Sequence, residues 1–157
     1  MKKSYLFSLF LLYLASSLRA QDFTLVKLQA GGEVSFRGMS IPNDSVAWIS
    51  GNNGNVAVTS DGGRNWKSIK VKDYETFDFR SITAFTEKKA IIVNAGSPGV
   101  VLLTEDGGES WQKVHSYDIK EIFYDGISFW DEKKGIIFGD PIEGKLQLLA
   151  TEDGGKN

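Results

Sequence analysis

The chain has 157 residues and a formal net charge of −2 at neutral pH, so it lacks the basic excess expected of a protein that binds nucleic acid. It contains no cysteine, which excludes disulfides, thiolate nucleophiles and cysteine-based metal sites. We therefore expect no nucleic-acid partner, and the sequence predicts no metal and no cofactor.

Residues 1–20 have the pattern of a secretory signal peptide. Lys2 and Lys3 give a positive start, and Tyr5–Leu18 is an apolar run, shorter than the roughly 20 residues of a membrane-spanning helix. Ala20 is a small residue at the position expected for cleavage. The sequence therefore predicts an exported protein, periplasmic or extracellular, with no membrane span after cleavage. An uncleaved membrane anchor is the alternative.

A short predicted strand over 23–28 is followed by three similar units, over 35–71, 79–115 and 123–157. Each unit contains the pattern Thr-x-Asp-x-Gly, and two of them complete it with Trp three residues later. The pattern comprises Thr59, Asp61, Gly63 and Trp66; Thr104, Asp106, Gly108 and Trp111; and Thr151, Asp153 and Gly155. The aspartates are 45 and 47 residues apart, which is the length of a four-stranded propeller blade.

Short runs rich in β-branched or aromatic residues, bounded by Gly, Asn, Asp or Pro, predict four strands in each full unit. The fold class is therefore all-β: a β-propeller of four-stranded antiparallel blades, of which 21–157 holds about three. A complete ring would have six to eight blades. Residues 23–28 lie as far before Phe36 as the outer strand of a unit lies before the first strand of the next unit. We therefore expect them to close the last blade and remove its exposed edge.

Three blades are too few for a closed ring of the usual four to eight. We therefore expect the chain to be part of a longer protein that is a monomer when its ring is complete. An oligomeric ring of short chains is the alternative.

The repeated Asp-Gly turns are interpreted as structural. Asp-Gly between two apolar runs is a strong hairpin signal, and an aspartate carboxylate can accept hydrogen bonds from the backbone amides that follow it. Gly63 and Gly108 can adopt positive φ, and a buried tryptophan ring would fix the outer strand. Each turn has too few oxygens for a calcium site.

These turns resemble the Asp-box, or BNR, repeats of sialidases, sortilin-type receptors, xyloglucan-degrading enzymes and photosystem II stability/assembly factors. The Asp-Gly-Gly-x-x-Trp turns and the Phe-Arg pairs at blade starts are most similar to the assembly factors. The resemblance implies a non-catalytic propeller that binds a protein, or a carboxylated or glycan ligand, at the mouth of its channel. Some relatives carry an "oxidoreductase" label, but the chain has no nucleotide fingerprint or cluster of histidines to support one.

The alternative function is a glycoside hydrolase of the sialidase or xyloglucanase type. A sialidase would have Phe/Tyr-Arg-Ile-Pro early in the chain, and Phe36-Arg37 meets only half of this motif. Phe79-Arg80 repeats the same pair, which indicates that the arginine belongs to the blade pattern. No catalytic residue is predicted.

Ligand-binding candidates come from the ends of blade strands. Arg37 and Arg80 occupy equivalent positions at innermost strands, and Asp125 replaces them in the third unit. The resemblance places both arginines near one mouth of the channel, where two guanidinium groups could clamp a carboxylate. The alternative is that each arginine pairs with a nearby acid, such as Asp78 or Asp125, and holds neighbouring blades together.

Two further candidates, Asn94 and Asp140, lie where the second and third strands of a blade are joined. Ordinary turn chemistry explains such residues more simply. Trp48 and Trp130 lie in or beside predicted strands, and we expect both in the core.

Overall fold

The structure is a computed structural model that describes residues 34–156, and all regular secondary structure in this range is β-strand. The predicted signal peptide, 1–20, and the predicted closing strand, 23–28, lie outside the described residues. No helix in the described part is long and apolar enough to cross a membrane.

Within the described residues, eleven strands form three antiparallel sheets. The first has the order β1-β2-β3-β4, the second β5-β6-β7-β8, and the third, within the described residues, β11-β10-β9. Their bounds are β1 Phe36–Ser40, β2 Ala47–Gly51, β3 Asn55–Thr59, β4 Lys67–Lys70, β5 Asp78–Ala84, β6 Ala90–Ala95, β7 Gly99–Thr104, β8 Gln112–Tyr117, β9 Tyr124–Phe129, β10 Gly135–Ile142 and β11 Lys145–Thr151.

The sheets lie side by side, because β1 contacts β5 and β5 contacts β9. Each sheet is a meander of consecutive hairpins. It begins at its innermost strand, which is β1, β5 or β9. Three neighbouring blades of a β-propeller have this arrangement, and the predicted all-β propeller fold is confirmed.

Two hydrophobic cores hold the three sheets together. One lies between the first and second sheets and the other between the second and third. In β6, Ile92 faces the first core while Ile91 and Val93 face the second, because side chains alternate along a strand. Trp48 is fully buried in the first core, as expected, but Trp130 is 74% exposed. The expectation for Trp130 was wrong because this residue lies in the turn after β9, where its backbone N–H donates to Lys134 O.

The two ends of the sheets carry different connections. At one end, a backbone N–H of each Asp-box turn donates to the loop between the first two strands of its own sheet, as in Gly62 N to Ser45 O at 2.8 Å. At the other end, the loop between the second and third strands bonds the segment that enters an innermost strand, as in Gly54 N to Phe77 O at 2.8 Å. We call these the box end and the entry end.

Candidate functional site

The three equivalent positions 37, 80 and 125 all lie on β-bulges at the entry end. In each innermost strand the pairing register skips one residue: it passes from Phe36 to Gly38 in β1 and from Phe79 to Ser81 in β5. In β9 the register likewise skips the residue at position 125. A bulge bends the strand and redirects the extra side chain. The three charged side chains are therefore displaced from the regular in-and-out alternation of their sheets.

Each bulge arginine forms an ion pair with an acid on the next sheet. Arg37 Nε lies 3.5 Å from Asp78 Oδ2, and Arg80 Nε lies 3.1 Å from Asp125 Oδ1. Asp78 precedes the second bulge by two residues, whereas Asp125 is itself the bulge residue. The pairing that the sequence allowed as an alternative is thus present, and it links the innermost strands of all three sheets.

The paired arginines remain accessible to solvent. Their side chains are 46% and 37% exposed, and Arg80 Cζ also lies 5.2 Å from the centre of the Phe123 ring. Oδ1 of Asp78 is buried without a hydrogen-bond partner among the described residues. Each ion pair gives its guanidinium group a defined direction. Because the arginine side chains are only partly buried, the pairs contribute little to stability, and the guanidinium groups can still contact a ligand.

Asn94 is buried, and its side chain organises the β6–β7 loop. Its amide nitrogen donates to the carbonyl oxygens of Gly96 and Pro98, both at 3.0 Å, and its Oδ1 accepts from Val100 N at 2.6 Å. This geometry favours the turn role of Asn94 over a contact with ligand.

Asp140 lies inside β10, which extends to Ile142 and is longer than the sequence indicated. Its backbone N–H bonds to Phe123 O at 3.0 Å, so it also lies at the entry end. The Asp140 side chain is exposed, and it remains a candidate ligand contact.

The Asp boxes have the turn geometry expected of them, and they lie at the box end, away from the bulge residues. Asp61 Oδ1 accepts from Asn65 N at 2.9 Å, while Thr59 Oγ1 accepts from Gly63 N at 3.0 Å and donates to Asp61 Oδ1 at 2.8 Å. Gly63 has φ of 85°. The second and third boxes repeat the threonine–aspartate bond and the bond from the last glycine.

Hydrogen bonds also hold the box carboxylates in their charged form. Those from the backbone and side chain of Asn65 lower the pKa of Asp61 from 3.8 to about 2. Those from the side chain and backbone of Ser110 lower the pKa of Asp106 from 3.8 to about 2. These low pKa values have a structural cause and do not mark a proton-transfer site.

Sequence reasoning missed the bulges and Phe123. A bulge is set by the pairing register between strands, which the local pattern does not contain. The repeated Phe-Arg, aligned with Tyr124-Asp125, was the only available signal that these positions share a geometry. Among residues 34–156, no group of histidine and acidic side chains could hold a metal ion.

Comparison with known proteins gives one matching family and similar solved structures. The family model described as photosynthesis system II assembly factor YCF48 matches residues 16–119. A structure of YCF48 bound to D1 peptide is 24% identical, with a TM-score of 0.67, and the match covers 83% of this chain and 40% of that one. A structure of YCF48 from Cyanidioschyzon merolae is 20% identical, with a TM-score of 0.62 and the same coverage. The chain thus spans 40% of the length of either structure. No curated protein matches it.

Proposed function

The chain belongs to the family of the photosynthesis system II assembly factor YCF48, and from this membership we propose that it is a non-catalytic, assembly-factor-like propeller that binds a segment of a protein partner. We further propose that the binding site is the entry end, at the bulge arginines Arg37 and Arg80. The solved YCF48 structure with a bound peptide supports a peptide segment as the class of ligand.

The observation that carries the proposal is the repeated placement of an oriented but exposed guanidinium group. A bulge removes each arginine from the regular ladder, and an acid on the next sheet fixes its direction. Both features reduce the entropy that the arginine would lose when it binds a ligand.

The chemistry of the site favours a carboxylate-bearing segment. A guanidinium group has five N–H donors in a planar fork and binds carboxylates more strongly than neutral acceptors. The acids Asp78 and Asp125 make the site less basic overall, so we expect it to select one well-placed carboxylate over a dense acidic stretch.

The test is binding of labelled decapeptides to the full chain, followed by fluorescence anisotropy. The set comprises a peptide with one central Asp and a free C-terminus, its Asn counterpart, and its C-terminal amide. We expect the best binder to carry a carboxylate and to lose about tenfold in affinity on Arg37→Gln or Arg80→Gln, the effect of about 1.4 kcal/mol for one charged hydrogen bond.

Arg64→Gln is the matched control, because Arg64 is exposed at the box end and, within residues 34–156, its side chain bonds its own turn, through Nη1 to Asp61 O. This variant is expected to bind like the wild type. Equal losses in all three arginine variants would indicate non-specific attraction, and unchanged binding in Arg37→Gln and Arg80→Gln would refute the entry-end site.

A separate assay addresses the enzymatic alternative. The full chain should not turn over a fluorogenic sialoside or xyloglucan oligosaccharide. Turnover that disappears in Arg37→Gln would contradict the non-catalytic function and favour a glycoside hydrolase.

Export is also part of the proposal, and it is supported by the amino-acid pattern of residues 1–20. Expression of the full chain in a bacterial host should give a periplasmic or secreted product whose N-terminus is near Gln21. A cytoplasmic product that still begins at Met1 would contradict export.

A further inference from the structure

Phe123 is an aromatic residue at the entry end, and it lies just before β9, partly buried. The residues on either side of it, Ile122 and Tyr124, are 2% and 1% exposed and belong to the second core. Within residues 34–156, Phe123 itself belongs to neither hydrophobic core. Its ring lies against Arg80, whose Cζ is 5.2 Å from the ring centre. The ring therefore points away from the core and lies beside the proposed binding site.

The repeat has a different kind of residue at this position in each sheet. The equivalents of Phe123 are Ser35 in the first sheet and Asp78 in the second. Asp78 faces the preceding sheet, where it pairs with Arg37, and Phe123 likewise contacts Arg80 of the sheet before it. Since two of the three sheets form with a polar residue here, the fold does not require an aromatic ring at this position.

The backbone of Phe123 is held by its neighbours. Its carbonyl oxygen accepts the N–H of Asp140 at 3.0 Å, and the N–H of Ile122 donates to Ile119 O at 3.0 Å. Strand β10 passes so close that a Cβ at Gly139 would clash with Phe123 O. The ring is thus presented from a fixed backbone, which reduces the entropy lost when a ligand contacts it.

We propose that Phe123 is a specificity-determining residue of the entry-end site, and that it selects a segment with an apolar side chain near its carboxylate. This inference rests on the proposed function. The Arg80 side chain is 37% exposed and has five N–H donors, so it can bind a ligand carboxylate while it pairs with Asp125. The exposed part of the Phe123 ring adds apolar surface beside that carboxylate. Binding sites commonly combine apolar surface with a few polar groups that fix orientation.

The spacing of the two groups indicates where the apolar side chain stands in the ligand. In an extended segment, side chains two residues apart point to the same side and lie roughly 6.6 Å apart. This is comparable with the 5.2 Å between the Arg80 guanidinium carbon and the centre of the Phe123 ring. Adjacent side chains point to opposite sides. We therefore expect the apolar residue two positions from the residue that carries the carboxylate.

The test extends the decapeptide series with peptides that have Gly at the varied positions. Leu replaces Gly either two positions from the carboxylate-bearing residue or directly beside it, on each side where that residue is internal. Leu two positions away should raise the affinity about fivefold, or about 1 kcal/mol, as expected for partial burial of one leucine side chain. Leu directly beside it should not. Lys two positions away should not either, because Arg80 already supplies a cation to the ring.

Three variants assign the preference to the Phe123 ring. Phe123→Ser introduces the residue that the first sheet has at this position, and it should abolish the preference for Leu. Phe123→Leu keeps an apolar side chain without the aromatic ring and should retain most of that preference. Tyr117→Ser is the matched control, because Tyr117 is 42% exposed on β8, the outermost strand of the second sheet, and it should leave the preference unchanged. Urea unfolding checks that each variant is folded.

The outcomes distinguish this inference from the proposed function. Equal binding of charged peptides and their Asn or amide counterparts by the wild type would refute both. If the wild type prefers the carboxylate but binds the Leu and Gly peptides equally, or binds the Lys peptide best, the inference is overturned and the proposed function stands. The same holds if Phe123→Ser retains the preference for Leu.

Discussion

The threonine hydroxyl of each Asp box bonds both the turn backbone and the box aspartate. Thr59 and Thr104 are 2% and 1% exposed, and each hydroxyl accepts a backbone N–H while it donates to the box aspartate. The sequence predicted the roles of the aspartate and the last glycine from general turn chemistry. It did not predict the role of the threonine, because nothing in the local pattern shows that its hydroxyl is buried.

The first prediction concerns this hydroxyl. Thr59→Val should destabilise the protein by about 1–3 kcal/mol, because it leaves the buried N–H of Gly63 without an acceptor. Thr59→Ser keeps the hydroxyl and should cost only about 1 kcal/mol for the missing methyl group. Urea unfolding measures both values. Equal costs for the two variants would show that packing, and not the hydrogen bond, is the reason for the threonine.

The second prediction concerns acid stability. The folded-state pKa of Asp61 and of Asp106 is about 2, below the ordinary 3.8. Their stabilising contribution is therefore complete above about pH 3.8 and is lost as the pH falls through about 2. In Asp61→Asn and Asp106→Asn, stability should decrease less between pH 4 and pH 2 than in the wild type.

Acid unfolding followed by tryptophan fluorescence measures this slope. Glu105→Gln is the control, since Glu105 is an exposed carboxylate in the second box turn and should leave the acid transition unchanged. An unchanged slope in the aspartate variants would contradict the prediction.

At the scale of elements, the sequence predicted the strands well and the irregularities poorly. The period of the repeat and the alternation of side chains determine where strands lie, and each of the two full units has the four strands that the sequence predicts, within residues 36–117. The bulges at Arg37, Arg80 and Asp125 depend on how two strands pair. A one-residue skip in register leaves the composition of each strand unchanged, so the pattern of apolar residues does not reveal it.

The loop between the first two strands also repeats in all three sheets, although the residue that holds it differs each time. Asn43 Oδ1, Thr86 Oγ1 and Asp131 Oδ1 each accept two backbone N–H groups in the loop between the first two strands of their sheet. Backbone hydrogen bonds from Lys134 and Lys133 lower the pKa of Asp131. Three different side chains thus perform one function, which alignment by identity does not detect.

The third prediction tests the close approach of innermost strands. A Cβ at Gly38 would clash with Ser50 Oγ and would lie 3.0 Å from Ser81 Cα on the next sheet. Gly38→Ala should therefore destabilise the protein by about 1–3 kcal/mol.

Ser50→Ala provides the matched background for this prediction. The Ser50 hydroxyl is buried with no hydrogen-bond partner among the described residues, so its removal alone should cost little. Gly38→Ala should cost less in the Ser50→Ala protein than in the wild type, as measured by a double-mutant cycle in urea. Equal costs in the two proteins would assign the effect to the backbone contacts alone.

At the scale of the whole molecule, the sequence predicted that equivalent residues of successive blades would share an end of the propeller. It offered Asp78 and Asp125 as partners of the arginines, but it did not assign which arginine pairs with which acid. Arg37 pairs with the residue before Phe79, whereas Arg80 pairs with the residue after Tyr124. Repeat symmetry would have required the same partner position in both cases. The third unit differs at both positions: Phe123 stands where Asp78 stands in the second, and Asp125 stands where the arginines do. Arg80 therefore pairs with Asp125 and lies against the ring of Phe123.

The two interfaces between sheets also differ in how well they are filled. The first core contains the rings of Trp48 and Trp111, packed edge to face with centroids 6.3 Å apart. The interface between the second and third sheets has an apolar cavity of about 220 Å³, lined in part by Ile91, Val101 and Val114. The cavity is partly open to solvent, and the apolar side chains that line it have fewer packing contacts than those of the first core.

The last prediction follows from this difference. The third sheet should open before the other two, since one of its faces is exposed and the other borders the cavity. Backbone amides of β10 and β11 should then exchange with deuterium at least about tenfold faster than those of β6 and β7. Val101→Ile adds a methyl group at the cavity wall and should slow exchange in the third sheet while leaving β2 and β3 unchanged. Uniform exchange across the three sheets would mean that they open as one cooperative unit and that the cavity has no local effect on stability.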